Sequence, residues 1–306
     1  MSTSTATVAG GYPRNATANV AALRKNEALL LVREDPFPDW VVLGAIGIDQ
    51  APWLRKLAVG KHADEIGAQE WRDRVALVVP RLESAQPLVA RIAYGDLSAA
   101  PYAALRKAKP RLDVRRLRAW LSDPNLAARG RLYLLLLGVA GTAQDAAALE
   151  RRLEAAGQSG DATNLASVLT ADLELRGPAR LTWVEEKYLR DRARSATEVE
   201  AALLALSVQG HTNGVIPRER VIESYRVYMK AHPENAGNVA PDLAAWQYWD
   251  AVPEYEALMK SSVRQQYPSK VAIQFYLAQS ADVRASGSSA AASRSTGSAP
   301  TALRAP

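Results

Sequence analysis

Leu82-Glu83-Ser84-Ala85-Gln86-Pro87-Leu88-Val89-Ala90-Arg91 and Leu121-Ser122-Asp123-Pro124-Asn125-Leu126-Ala127-Ala128-Arg129 follow one plan. In each, a helix ends on Leu, a short polar turn follows, and Pro opens a second helix carrying Ala and Arg in its first turns. Proline suits that position because the first helical N–H has no partner to lose and the ring holds φ near its helical value. Pro87 and Pro124 stand 37 residues apart. Self-similarity at such a period marks stacked helix pairs, none of which buries its apolar face without a neighbour.

Working outward, apolar spacing predicts helices over 70–82 and 87–99, a short connector over 102–109 closed by Pro110, and a helix over 113–121. The last of these carries Val114, Leu117, Trp120 and Leu121 on one face and turns Arg115, Arg116 and Arg118 outward. A helix over 124–140 stops at Gly141. Thr142 and Asp145 make a pair resembling a capping box, and Asp161 is placed to cap a helix bearing Leu165, Val168, Leu169 and Leu173. Gly177-Pro178 ends one helix and starts another. Helices over 178–192 and 195–208 follow, the second opened by the capping box Ser195/Glu198. A helix over 217–231, with Val221, Ile222, Tyr225, Tyr228 and Met229 inward, pairs with 241–250, and 253–261 pairs with 268–279. The expected fold is all-α, a right-handed α-solenoid of about five to six helix pairs.

The ends read differently. Residues 1–26 are rich in Ser, Thr, Ala and Gly and are expected to be disordered. Within 27–67, the runs 28–33 and 40–48 are short, rich in Leu, Val and Ile, and separated by Glu34-Asp35-Pro36-Phe37-Pro38-Asp39. They read as two strands of a hairpin or as short buried helical pieces; length and the flanking prolines favour strands, a short extended segment that must lean on the helices to be stable. The repeat domain is assigned to 68–280, and 281–306, rich in Ser, Ala, Gly and Arg, reads as a disordered tail.

The helix pairs, with their L-x-D/S-x-x-P-x-x-A-R hinge, resemble HEAT-like repeats over about 68–280, most clearly over 70–141. The run from Pro87 to Leu97 followed by Ala100-Pro101-Tyr102-Ala103-Ala104-Leu105 also looks like a group of uncharacterised bacterial HEAT-containing proteins. Many of that group carry a β-rich segment ahead of the helices and an export signal. Met1–Ala21 has neither a basic start nor an apolar core of a signal peptide, so the chain is expected in the cytoplasm as it begins, and in the periplasm if the start lies upstream. The resemblance implies scaffolding or binding and supplies no catalytic residue.

Composition narrows the chemistry. The 306 residues include no Cys, which excludes disulfides, thiolate catalysis and Cys-based metal sites. The longest apolar run, Leu132–Ala140, is too short to span a bilayer. Net charge is +6 and unevenly spread: from Arg106 to Arg131, nine Lys/Arg stand against Asp113 and Asp123, leaving the rest of the chain at −1. Such a band attracts anions, and Arg115, Arg116, Arg118, Arg129 and Arg131 are its candidate partner-binding residues.

His62, His211 and His232 stand apart, and neither an H-E-x-x-H pattern nor the repeated His-Glu pairs of HEAT-fold metal hydroxylases occur. Gly44-Ala45-Ile46-Gly47 and Gly138-Val139-Ala140-Gly141 are too short for a phosphate loop, and Gly157-Gln158-Ser159-Gly160 lacks the form of a nucleophile elbow. Glu185-Glu186, near Lys187, Arg190 and Arg192, reads as a solvated helix face; Asp35 and Asp39 read as turn formers. Trp246 and Trp249, three apart, are expected on one helix face with Asp250 capping the helix opened by Pro253. These two tryptophans complete the candidate partner-binding set; a loose likeness to HEAT-fold alkylpurine DNA glycosylases, which set Trp, Asp and Arg in a groove, attaches to them. No catalytic, cofactor or metal residue is assigned. The expected function is a non-enzymatic helical-repeat scaffold for a protein or peptide, an acidic one favoured by the basic band. Nucleic-acid binding and an exported structural role with a mis-set start are the alternatives.

Overall fold

The computed structural model describes residues 23–33, 39–58 and 66–295, with side chains through residue 285. Expectations for 1–22, the turn 34–38, His62 and the tail from 296 onward lie outside the described residues. Among the described residues the chain forms fourteen α-helices and one two-stranded sheet. It divides into two compact units, Met1–Asp145 and Ala146–Pro306.

In the first unit, β1 (Glu27–Val32) and β2 (Val41–Gly47) pair antiparallel, Glu27 opposite Gly47 and Leu30 opposite Gly44. The register slips between Leu30 and Leu31, a bulge at which Gly44 adopts φ 141°, a conformation that strains any side chain. Helix α1 spans Ala51–Ala58, α2 Ala68–Val78, α3 Pro87–Ser98 and α4 Tyr102–Lys107. The hairpin leans on the start of α3: the Gly47 N–H donates to Gln86 (3.1 Å) and the Arg91 guanidinium to the Leu43 carbonyl (2.8 Å). α1 is anchored by Trp53, whose indole N–H reaches the Leu77 carbonyl (3.1 Å) under the Arg81 guanidinium.

Asp113 caps α5 (Val114–Ser122) by accepting the N–H groups of Arg115 and Arg116. Asp123 then caps Pro124–Arg129, which is a 3₁₀ segment and not the α-turn expected there, before α6 (Gly130–Ala140). α6 buries Leu132, Tyr133, Leu134, Leu136, Leu137 and Val139. The two copies of the sequence plan are bonded to each other. Glu83, in the first turn at φ 54°, accepts hydrogen bonds from Arg129 (2.5 Å), the last residue of the second copy, and from the Tyr133 hydroxyl on α6.

Helix α7 (Ala143–Ser159) begins just before the division, and Asp145 accepts the Thr142 N–H (2.8 Å) as the capping pattern requires. In the second unit, α8 (Leu165–Arg176) is entered through Asn164 in the left-handed conformation; Asp161 instead accepts the Thr163 N–H (2.8 Å). Gly177 closes α8 at φ 72°. The expected helix over 178–192 is a composite: 3₁₀ at Pro178–Arg180, α9 at Leu181–Val184, then a π-turn over Glu185–Leu189. The wider turn buries Glu185, which accepts the Ser224 hydroxyl (2.7 Å), so Glu185 is not part of a solvated face; Glu186 is, paired with Arg190 (3.0 Å).

α10 (Ala196–Thr212) starts at the Ser195/Glu198 capping box. α11 (Arg218–Ala231) buries Val221, Ile222, Tyr225, Tyr228 and Met229. A 3₁₀ stretch, Pro233–Val239, leads to α12 (Ala240–Ala245), then α13 (Val252–Lys260) and α14 (Tyr267–Ser295). α14 carries helix past 280, into the segment expected to be a disordered tail; Ala is the strongest helix former, and that composition offsets the Ser and Gly. α10 packs on α8 and α11, and α14 packs on α12, α13 and the 3₁₀ stretch.

Tyrosines fill much of this second core. Tyr188, Tyr225, Tyr228, Tyr255 and Tyr276 are all buried, and the Tyr255 hydroxyl donates to the Ala236 carbonyl (3.1 Å). Burial pushes Tyr228 and Tyr276 each up to about 12 and raises Tyr188, Tyr225 and Tyr255 as well. A phenol raised in the folded state keeps its proton where the unfolded chain has lost it. Stability is therefore full below the ordinary phenol value of about 10 and falls as pH rises above it. Phenolate absorbance and far-UV circular dichroism followed through alkaline titration are expected to change together, most phenols ionising only as the helices melt. Complete ionisation with the helical signal intact would contradict this core.

Candidate functional site

In the second unit two helix stripes face each other across a groove. On α10, Glu200, Leu203, Leu204 and Ser207 follow the i, i+3, i+4, i+7 spacing of one face. On α14, Pro268, Val271, Ala272, Phe275 and Gln279 do the same, while Ile273 and Ser280 on its other side are buried. The floor is Gly237–Val239 and α12. Three depressions adjoin along it. The first, about 330 Å³, is lined by Arg192, Arg194, Tyr228, His232, Glu234 and Asn238 among others. The second, about 450 Å³, adds Leu203, Leu204, Tyr225, Pro241 and Asp242. The third, about 500 Å³, is lined by Ala244, Ala245, Val271, Phe275 and Tyr276. Glu200 and Asn238 belong to the first two, Pro241 and Ala272 to the last two, and Pro268 to all three.

The groove runs from polar to apolar. At the polar end Arg192 pairs with Glu234 (3.1 Å), and Arg194 with Glu198 (2.8 Å) and Asp191 (3.4 Å). His232 is buried, stacked on Tyr228 at 5.1 Å, and its Nε2 has no hydrogen-bond partner. Toward the other end, Leu204 is 56% and Phe275 66% exposed, large apolar side chains facing water on a well-packed unit.

Ser207, His211 and Asp242 also converge here without relay geometry. The Ser207 hydroxyl (3.4 Å), the Ser207 carbonyl (3.0 Å) and Asp242 (3.9 Å) all approach the same ring nitrogen, Nδ1 of His211. A hydrolytic relay uses the two nitrogens separately, one toward the nucleophile and one toward the carboxylate. Asp242 instead accepts the Tyr225 hydroxyl (2.5 Å).

The residues singled out in the sequence fall elsewhere. Arg118 is partly exposed, as expected, but is not free: it makes two bonds to the buried Asp145 (2.7 and 2.9 Å), and this guanidinium holds the Asp145 carboxyl below its usual value. Arg116 lies over Trp120 and reaches the Leu82 carbonyl (3.5 Å), and Arg129 bonds Glu83 beneath the Tyr94 ring. Arg115, Arg116 and Arg131 are exposed. Trp246 and Trp249 do not share a helix face, because α12 ends at Ala245 and Gln247 turns the chain at φ 55°. Trp246 stacks on Tyr225 (5.7 Å, 7°) between His211 and Arg218, while Trp249 tilts against Tyr276 (5.1 Å). Asp250 is not a cap; Ala251 holds that position for α13.

No family model, curated protein or solved structure matches the chain. Among the described residues, no helix is long and apolar enough to cross a membrane, and no group of three or more His, Asp or Glu is placed to hold a metal ion.

Proposed function

We propose that this chain is a non-enzymatic scaffold of HEAT-like helix pairs that binds a protein or peptide, and that the partner lies in the groove between α10 and α14. One observation carries the reading: Leu204 and Phe275, large apolar side chains, are exposed on facing helix stripes above adjoining depressions. Covering such a side chain stabilises by about 1.5–3 kcal/mol, so the pair offers a partner a substantial apolar anchor. Segments that lay apolar anchors into a hydrophobic groove are a recurring recognition mode. The bond from Arg129 to Glu83 supports the repeat reading, since it ties the turn of the first copy to the end of the second. Nucleic-acid binding draws less support, because Arg116, Arg118 and Arg129 are engaged within the fold.

Selection of a random peptide library on the full chain tests the proposal. A consensus is expected on the native protein and lost on Leu204→Glu/Phe275→Glu, a variant whose exposed positions leave the melting temperature close to native. Failure to enrich any peptide, or the same peptides on both proteins, would overturn it.

A further inference from the structure

We infer that the groove selects a partner segment that is apolar but basic, with a Lys or Arg side chain seated at Glu200 and Asp242. This rests on the groove reading above and adds the charge of the occupant. Both carboxylates line the middle depression, together with Leu203, Leu204, Pro241 and Ala272. The cations at the polar end are already committed: Arg192 to Glu234, and Arg194 to Glu198 and Asp191. Glu200 is exposed on α10, and among the described residues no Lys or Arg is paired with it; its charge is felt by the buried Tyr228 phenol. Asp242 has the Tyr225 phenol and, at 3.9 Å, the imidazole of His211, but no Lys or Arg. The open charge of the groove is therefore negative, although the chain as a whole carries +6.

Covering the groove takes these carboxylates out of water. An apolar or acidic occupant leaves them desolvated without a counter-charge, a strong penalty; a Lys or Arg among apolar side chains removes the penalty and gains charge-assisted hydrogen bonds. The discrimination comes as much from rejecting the wrong segment as from attracting the right one. The basic band at Arg115–Arg131, which favours an acidic partner, belongs to the other unit and does not line this groove.

The test uses the same peptide library on the full-length native chain and on Glu200→Lys, which removes no bond of the fold. Native protein is expected to enrich peptides with Lys or Arg flanked by apolar residues. Replacing that Lys by Glu in a labelled synthetic peptide is expected to weaken binding roughly tenfold or more by fluorescence anisotropy, and Glu200→Lys to reverse the preference. Enrichment of acidic peptides, or an unchanged preference in Glu200→Lys while Leu204→Glu abolishes binding, overturns the charge assignment and leaves the groove standing. Binding indifferent to Leu204→Glu as well, or no enrichment at all, removes both.

Discussion

Asp172→Leu is expected to destabilise the protein by about 3–5 kcal/mol, the cost of breaking a buried ion pair by deleting one partner. Asp172 is 0% exposed, in the middle of α8, and accepts bonds from Arg180 (2.6 Å) and Arg176 (2.9 Å). Arg180 is only 9% exposed; its guanidinium lies 3.8 Å from the centre of the Trp183 ring, and its Nη2 has no partner. Removing the carboxylate leaves this cation with the Trp183 ring and, at 3.2 Å, the partly exposed Glu150 as its remaining described partners. The double variant Asp172→Leu/Arg180→Met is expected to recover more than half of the loss, since an apolar pair of similar volume often replaces a buried ion pair at little net cost. Urea denaturation of the two single variants and the double variant checks this. A loss below about 1 kcal/mol in Asp172→Leu, the range of a surface pair, would contradict the assignment.

Gly237→Ala is expected to cost about 3 kcal/mol or more, at the upper end of overpacking effects, because the clash is with backbone. A Cβ at Gly237 would stand 2.0 Å from the Ser269 carbonyl oxygen and 2.7 Å from its carbon. The Gly237 N–H also donates to the Ser269 hydroxyl (2.8 Å), a bond inside the buried contact between the 3₁₀ stretch and α14. Relief requires α14 to move away, which separates the groove wall from its floor, so peptide binding is expected to fall with stability. Gly210→Ala is the control: there the obstacle is the Trp246 ring at 2.4 Å, a side chain that can shift, and a smaller loss is expected. Thermal denaturation of both variants decides it; a native melting temperature for Gly237→Ala would contradict the close approach.

Much of the helical plan is legible in the sequence because its signals are local. Pro87 opens a helix, Ser195 and Glu198 cap one, Gly177-Pro178 separates two, and the apolar runs within 28–33 and 40–48 pair as antiparallel strands. Where local signals compete with packing, they mislead. Pro124 fixes a helical φ but does not choose between α and 3₁₀. Glu185 sits in a charged stretch, yet a π-turn brings it inward to Ser224. Trp246 and Trp249 are spaced for one face, but the left-handed Gln247 ends the helix between them. Helix spacing places arginines on a face but not their partners: Arg118 finds Asp145 and Arg129 finds Glu83 across 27 and 46 residues, distances that periodicity does not encode. The groove was hidden for a related reason. Almost every position of 199–210 is small or apolar, so the face bearing Leu204 does not stand out from the faces packed on α8 and α11.

The central claim is that a partner segment occupies the channel between α10 and α14. Hydrogen–deuterium exchange of the full chain, with and without a library-selected peptide, tests it most directly. The expected result is added protection at residues 200–207 and 267–279 and little change in the first unit. Saturating peptide with protection confined to other segments, or with none at these two, would contradict it.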